Sequence, residues 1–462
     1  RGEQQWPSAN ILPWGAWIDR LWEEAGLAGA PGTARAVPNN RQLLSLWESV
    51  LAGAENAAPL LRPEAMAGQT METRRLAVEW GLDLNDAAWC GDDENANSRA
   101  FSGWNQAFED LCRMKGWIPP EDRSAVLQQA VQQGSFRPAG PLDLLGFDEL
   151  TPAQGRLIDA LGDAGVDVSL CTTEPAAGHA ALWSGDDPRH ELTCMARWVR
   201  HWHEQEPKAR IGIVVPDLQT RRDEVERALQ NILTPGQRRG EHFKPWNVSL
   251  GVPLSRVPMI ESAFALMSLL KKRIDIQDVG RVLRSPWIRG GTREKYSRAL
   301  LEKCLRENYP RQLKPGEVLF RAGEVRKYDR DRSELPEEQW EDRPWNCPML
   351  KSQWQALVAF ERETRSARNP SAWADAFEAL LSGQGWPLAP EQEGATIPAA
   401  EHDSNWQAFQ AWQDSLRELA SLDVTVHRLE RSEAIAQLQR ICRERVFQAR
   451  SAPAGIQVLG LY

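Results

Sequence analysis

Residues 141–170 read PLDLLGFDELTPAQGRLIDALGDAGVDVSL, and this stretch decides the fold class. Leu142, Leu144, Leu145 and Phe147 form a short apolar run that ends in Asp148-Glu149, which predicts a strand. TPAQGRLIDALGDAG has helical spacing and closes on a glycine turn. Val166-Asp167-Val168-Ser169-Leu170 then reads as a second strand. Strand, helix and strand at this spacing make a βαβ unit, and so a parallel sheet. Further on, ELTCMARWVRHWHEQEP is an amphipathic helix, IGIVVPDL a buried strand and TRRDEVERALQNIL another helix. The final GIQVLGLY returns to the apolar strand pattern.

Helical patterns fill the rest. WPSANILPWGAWIDRLWEEAG places Ile11, Leu12, Trp14, Trp17, Ile18, Leu21 and Trp22 at helical spacing, with Pro13 suited to a first turn. Residues 46–140 continue as helices, and helices dominate again from about Val252. The stretches 326–348 and 387–404, rich in Pro and charge, read as loops. No repeat of 20–50 residues is visible. The expected class is therefore a helix-rich α/β protein, with parallel-sheet units interrupted by helical insertions.

The 462 residues correspond to several domains of ordinary size. Hydrophobic residues at 42% and charged residues at 26% exclude global disorder, a collagen-like repeat and a disulfide miniprotein. The net charge of −9 gives no global basic signature. Charge is unevenly shared, however: residues 1–140 hold 12 cations against 18 carboxylates, and residues 141–252 hold 12 against 17. Residues 271–332 reverse the sign, with 18 against 9. A basic helical segment on an acidic chain points to a polyanion, although exposed helix faces are often simply solvated. No apolar run is long enough to span a membrane, and the first residues lack the apolar core of a signal peptide. The seven cysteines are scattered, odd in number and never CxxC, which predicts a reduced, cytoplasmic chain without a zinc or iron–sulfur site. The lack of an initiator Met and the closing strand suggest part of a longer protein.

LDLLGFDEL resembles the strand that carries a Mg²⁺-holding carboxylate in ATP-driven motors, with Asp148 and Glu149 in the metal and water-orienting positions. No GxxxxGK[ST] loop occurs in the 462 residues, so that pair lacks its phosphate cradle. Arg221 and Arg222 open a helix after a strand, where a γ-phosphate arginine sits in a second motor domain. An ordinary surface helix explains them equally well. His201 and His203, with His190, could suggest a metal site, but the HxH alternation on a helix points two of the rings to different faces. Ten tryptophans (14, 17, 22, 80, 198, 202, 354, 373, 406, 412) fall on apolar helix faces and read as core rather than as base-stacking platforms. No catalytic triad or nuclease metal site is recognisable.

Several strings taken together resemble a known family. WPSANILPWGAWIDRLW, LLGFDELTPAQGRLIDAL, IGIVVPDLQTRRDEVERAL, VSLGVPLSRVPMIESAFALMSLL, VLRSPWIRGG and VFQARSAPAGIQVLGLY run in the order found in bacterial DNA repair proteins. These are similar to the B subunit of AddAB-type (AddB/RecB-like) helicase–nucleases, which join an inactivated superfamily 1 helicase module to a PD-(D/E)XK nuclease. The resemblance implies two RecA-like domains. The first would comprise 1–45 and 141–181 around a helical insertion at 46–140. The second would comprise 182–252 and 453–462 around an insertion at 253–452. Asp148, Glu149, Gln154 and Arg222 would then mark a degenerate nucleotide site. The chain itself would need no cofactor, with ATP and Mg²⁺ relevant only to an upstream phosphate loop and Mg²⁺ to a downstream exonuclease.

The function so implied is a DNA-binding, helicase-like scaffold for double-strand-break repair and recombination. It would hold single-stranded DNA or a duplex end through Arg281, Arg284 and Arg289, with Trp287 for stacking. The alternatives are an ATP-dependent translocase module and a non-catalytic module that holds a partner helicase–nuclease subunit.

Overall fold

A computed structural model describes residues 10–53, 63–84, 96–171, 178–236, 245–309, 311–330, 347–387, 399–449 and 454–461. It is a helix-rich α/β structure with small parallel sheets. The chain divides into two compact units, residues 1–179 and 180–462.

The first unit begins with α1 (Trp14–Leu27), whose buried stripe is Ile18, Leu21, Trp22 and Ala25. Ile11 and Leu12, expected on that helix, lie outside it and are exposed. Pro13 is the N-cap, and a proline disfavours helical backbone in the residue before it, so the helix cannot extend back through Leu12. Helices α2 (Asn40–Ala52), α3 (Pro63–Glu79) and α4 (Ala96–Lys115) form a separate core around Trp47 and Phe108, stacked with ring centroids 4.2 Å apart. A 3-10 turn at Pro120–Asp122 leads into α5 (Arg123–Gln132).

Arg74 of α3, almost wholly buried, ties these pieces together. Its guanidinium meets Glu121, Asp122 at 2.8 Å and Asn105 at 3.1 Å, with Glu109 at 3.7 Å. One cation thus serves three carboxylates.

The βαβ unit follows. Strand β1 (Leu142–Leu145) pairs in parallel with β2 (Val168–Cys171), in the register Leu142↔Val168 to Leu145↔Cys171. Between them runs α6 (Pro152–Asp163), closed at its N-terminus by a reciprocal Thr151–Gln154 capping box. Its Leu157, Ala160 and Leu161 pack with α1 and α5. The strand ends earlier than the apolar run suggested, because Gly146 adopts φ +78 and turns the chain.

The second unit opens with α7 (Pro188–Gln205), β3 (Ile211–Val215), α8 (Leu218–Leu233) and β4 (Trp246–Val248). The closing residues form β9 (Ile456–Gly460), the central strand of a parallel sheet ordered β3-β9-β4. One face is buried by α7 and α8 through Leu192, Ala196, Val199, Val225 and Leu229. The expectation of a fully buried strand is corrected here: β3 alternates, and Val214 and Leu459 stand exposed on the other face.

The long helical region between β4 and β9 leaves and returns at one neck. There β5 (Val252–Pro253) pairs antiparallel with β8 (Val446–Phe447). Gly251 is needed at the neck, since a Cβ there would come within 2.6 Å of the Phe447 carbonyl oxygen. From the neck the chain runs through α9 (Pro258–Ser268), a short β6 (Ile274–Asp275) and α10 (Ile276–Arg284). Next come α11 (Lys295–Asn308), β7 (Gln312–Leu313), α12 (Pro315–Arg330) and α13 (Pro348–Glu363). Helices α14 (Pro370–Gly383), α15 (Ala399–Ala420) and α16 (Arg431–Glu444) complete the region. They share one large core that includes Trp354, Trp373, Trp386 and Trp412. Arg431, at the start of α16, donates to the carbonyls of Leu270, Glu361 and Thr364 and so closes the C-terminal ends of α9 and α13.

Two further expectations change. Residues 326–330, 348 and 399–404, read as loop, belong to α12, α13 and α15, while 331–346 and 388–398 lie outside the described residues. Among the ten core tryptophans, Trp80, Trp198, Trp202 and Trp406 are exposed. On α7 the face toward the sheet is set by Leu192, Ala196 and Val199, and its helical phase turns Trp198 and Trp202 outward.

Candidate functional site

At the centre of the basic segment lie α10, the loop of residues 285–294 and α11. Asp275 caps α10, accepting from the Gln277 N–H at 2.8 Å. Ile276, Val279, Val282 and Leu283 bury one side, which leaves Arg281 and Arg284 on the exposed last turn, where the helix dipole favours cations. Gly280 lets α10 and α11 approach closely: a Cβ there would lie 2.7 Å from Glu302 Oε1 and 3.0 Å from Arg306 Nη2.

The loop is locked by buried polar groups. Arg298 of α11 donates to the Arg289 carbonyl at 2.7 Å and to Glu294 Oε2 at 3.0 Å. Glu294 in turn accepts from the N–H groups of Met349 and Leu350 at 2.7 and 3.0 Å, placing a carboxylate on the N-terminus of α13. Gln384 accepts from the Arg289 N–H at 3.3 Å, and Gln353 and Gln384 bond reciprocally to each other's carbonyls. Gly290 (φ +79) and Gly291 have no room for a side chain.

Between this loop and the two helices lies a cavity of about 800 Å³, lined by Leu283, Arg284, Pro286, Lys295, Ala299, Glu302, Lys303 and Arg306, among others. Its lining combines apolar side chains with four cations and two carboxylates. Glu302 is buried and accepts at one oxygen, Oε1, from Arg284 Nη1 and from Arg306 Nε and Nη2, the latter two at 2.8 and 2.7 Å.

Of the residues expected to contact DNA, only Arg284 lines this groove. Arg281 pairs with Asp278 at 2.9 Å. Trp287 is half-buried against the core rather than presented as a platform. Arg289 is exposed, and its stem lies across Gly385. Lys295, Glu302, Lys303 and Arg306 were not singled out. Their positions along REKYSRALLEKCLREN follow helical spacing and carried the signal.

Of the nucleotide-site candidates, Asp148, Glu149 and Gln154 belong to the first unit and Arg222 to the second. Asp148 and Glu149 are exposed in the loop after β1. The Gln154 side chain accepts from the Thr151 N–H at 2.9 Å in the capping box. Gln154 also lines a 360 Å³ cleft with Trp14, Arg75 and Arg123. In that cleft Arg75 is engaged by Glu72 and Glu79, and Arg123 by Asp19. Arg222 belongs to the other unit and donates to the Leu250 carbonyl at 2.7 Å and to Glu226 at 3.1 Å. Arg221 reaches the Pro188 carbonyl at 3.4 Å.

Among the described residues no group of three His, Cys, Asp or Glu side chains is placed to hold a metal ion, and no helix is long and apolar enough to cross a membrane. Burial pushes the thiols of Cys112 and Cys442 up to about 12 and that of Cys347 to about 11, whereas Cys171 is exposed. Comparison with protein-family models and with curated proteins finds no match for this chain.

Proposed function

We propose that this chain is a DNA-binding, helicase-like scaffold of a DNA double-strand-break repair nuclease, and that it grips single-stranded DNA in the α10–α11 groove. The observation that carries this reading is the groove: four cations, Arg284, Lys295, Lys303 and Arg306, line it with two carboxylates, Glu302 and Glu307, and apolar side chains. Phosphates meet the cations, while bases rest on Leu283, Pro286 and Ala299. The locked loop keeps the lining in place before the strand arrives, which lowers the ordering cost of binding. The order of family-like strings supports the repair context. The role proposed for these 462 residues, which hold no GxxxxGK[ST] loop, is to grip DNA rather than to turn over ATP.

Anisotropy titrations of a labelled single strand at several salt concentrations test the reading. Replacing Arg284, Lys295 and Lys303 together by Ala removes up to three phosphate contacts. At about 0.7 per contact, the slope of log affinity against log salt should fall by at most about 2. Replacing Arg281 and Arg289, which lie outside the groove lining, should have a smaller effect. Unchanged affinity and slope in the triple variant would overturn the groove.

One observation favours a second reading, a module that holds a partner helicase subunit. Trp198 and Trp202 are 54% and 41% exposed, with ring centroids 6.4 Å apart, and form an aromatic patch on α7. Absence of salt-dependent DNA binding by the wild-type chain would favour it.

A further inference from the structure

The groove already contains an anion of its own. Glu302 is 10% exposed at its side chain, whereas Arg284 and Arg306, the two arginines it holds, are 58% and 46% exposed. All three donated bonds converge on Oε1. A carboxylate oxygen and a phosphodiester oxygen offer guanidinium groups the same charge and similar acceptor geometry.

We infer that Glu302 is an internal occupant of a phosphate seat: it pre-positions Arg284 and Arg306 for a nucleic-acid phosphate and competes with that phosphate for them, so that it sets the groove's affinity. The inference rests on the proposed DNA-binding reading and adds to it which two side chains form the central phosphate contact and what restrains them. Without Glu302 the two cations, on neighbouring helices, would repel each other and splay apart. With it they stay together, but each incoming phosphate meets a like charge. The seat also explains Gly280. Any larger residue there would collide first with Glu302 Oε1, and that atom is the movable end of a flexible side chain.

Two independent substitutions follow. Glu302→Gln keeps the acceptor oxygen and removes the charge. Gly280→Ala places a methyl 2.7 Å from Glu302 Oε1, 3.0 Å from Arg306 Nη2 and 3.3 Å from Arg284 Nη1, so it pries the arginines from their carboxylate and reads the pre-positioning. Gly280→Ala should weaken single-stranded DNA binding at low salt, whereas Glu302→Gln should tighten it by up to about fivefold, the scale of one surface charge pair. For Glu302→Gln the slope of log affinity against log salt should steepen by about 0.7 to 1.4, for one or two additional phosphate contacts. Glu324→Gln removes a carboxylate from an Arg–Glu pair in the same basic segment but outside the groove lining. It should leave both quantities unchanged. Thermal unfolding of each variant confirms that the fold persists, and Gly280→Ala carries the test if Glu302→Gln is unstable.

If the wild type binds and the groove triple variant weakens it, but Glu302→Gln and Gly280→Ala match the wild type, the seat is overturned and the groove stands. If Glu324→Gln tightens binding as much as Glu302→Gln, the effect is one of net charge and the seat is again overturned. If neither the wild type nor Glu302→Gln binds, both readings fall.

Discussion

Two buried ionic clusters in this molecule are mirror images. In the first unit one arginine, Arg74, holds Glu121, Asp122 and, at longer range, Glu109. In the second, one carboxylate, Glu302, holds Arg284 and Arg306. The surroundings separate them. Arg74 and Glu121 are both enclosed and join α3 to the turn before α5, so the cluster's work is to hold helices together. The Glu302 cluster buries only its centre and turns its arginines toward an open groove. A buried charge with exposed partners leaves those partners available to a ligand; an enclosed pair such as Arg74 and Glu121 does not.

The strongest way to test this contrast is Arg74→Met. It strands Glu121 without its cation, and we expect a loss of about 3–5 kcal/mol in urea unfolding followed on the first unit. Adding Glu121→Gln should recover much of that loss. If Arg74→Met costs no more than Glu302→Gln, the distinction between enclosed and open clusters fails.

Arg298→Lys is the next largest. It keeps the charge but loses the fork that joins Glu294 to the Arg289 carbonyl, and should cost about 1–3 kcal/mol. Because the same fork locks the groove's loop, DNA binding should weaken as well. The same anisotropy titrations would detect the change.

Acid titration should separate the carboxylates by sign. Burial pushes the Glu121 carboxyl above its ordinary value, with Arg74 offsetting only part of that effect. Its contribution to stability is therefore complete below the ordinary carboxylate value and is lost as pH rises through the raised one. Burial also opposes ionisation of Glu361, but bonds from Arg365 and Arg431 outweigh it and hold this carboxyl below its ordinary value. Its contribution is present above the ordinary value and is lost as pH falls through the lowered one. Glu361→Gln should thus cost about 1 kcal/mol or less near neutral pH and match the wild type in acid. Glu121→Gln should gain on the wild type as pH rises. Thermal melts across the acid and neutral range distinguish the two.

The smallest effect is chemical. Among the six described thiols Cys171 is the exposed one, Cys194 is half-buried, and Cys112, Cys304, Cys347 and Cys442 are buried. A native-state thiol assay should show a fast phase that Cys171→Ser reduces, with the four buried thiols reacting only on unfolding.

The sequence alone was sufficient for the βαβ unit at 142–171, for the strand at Ile456–Gly460 and for most helices, because each rests on local periodicity. It also located the basic segment, since charge is a property of composition. Tertiary structure decided what periodicity does not encode. Trp198 and Trp202 lie at helical spacing as Trp373 and Trp412 do, yet the former pair is exposed and the latter is buried in the large helical core. Arg281, Arg284 and Arg289 looked equivalent along the chain. Asp278, Glu302 and Gly385 separate them, and two of these partners lie far away in sequence. The groove depends on Gly280 and Glu302, a small residue and a carboxylate that no search for basic residues would select. Its existence depends on how closely two helices can pack, and that distance is fixed only when the chain has folded.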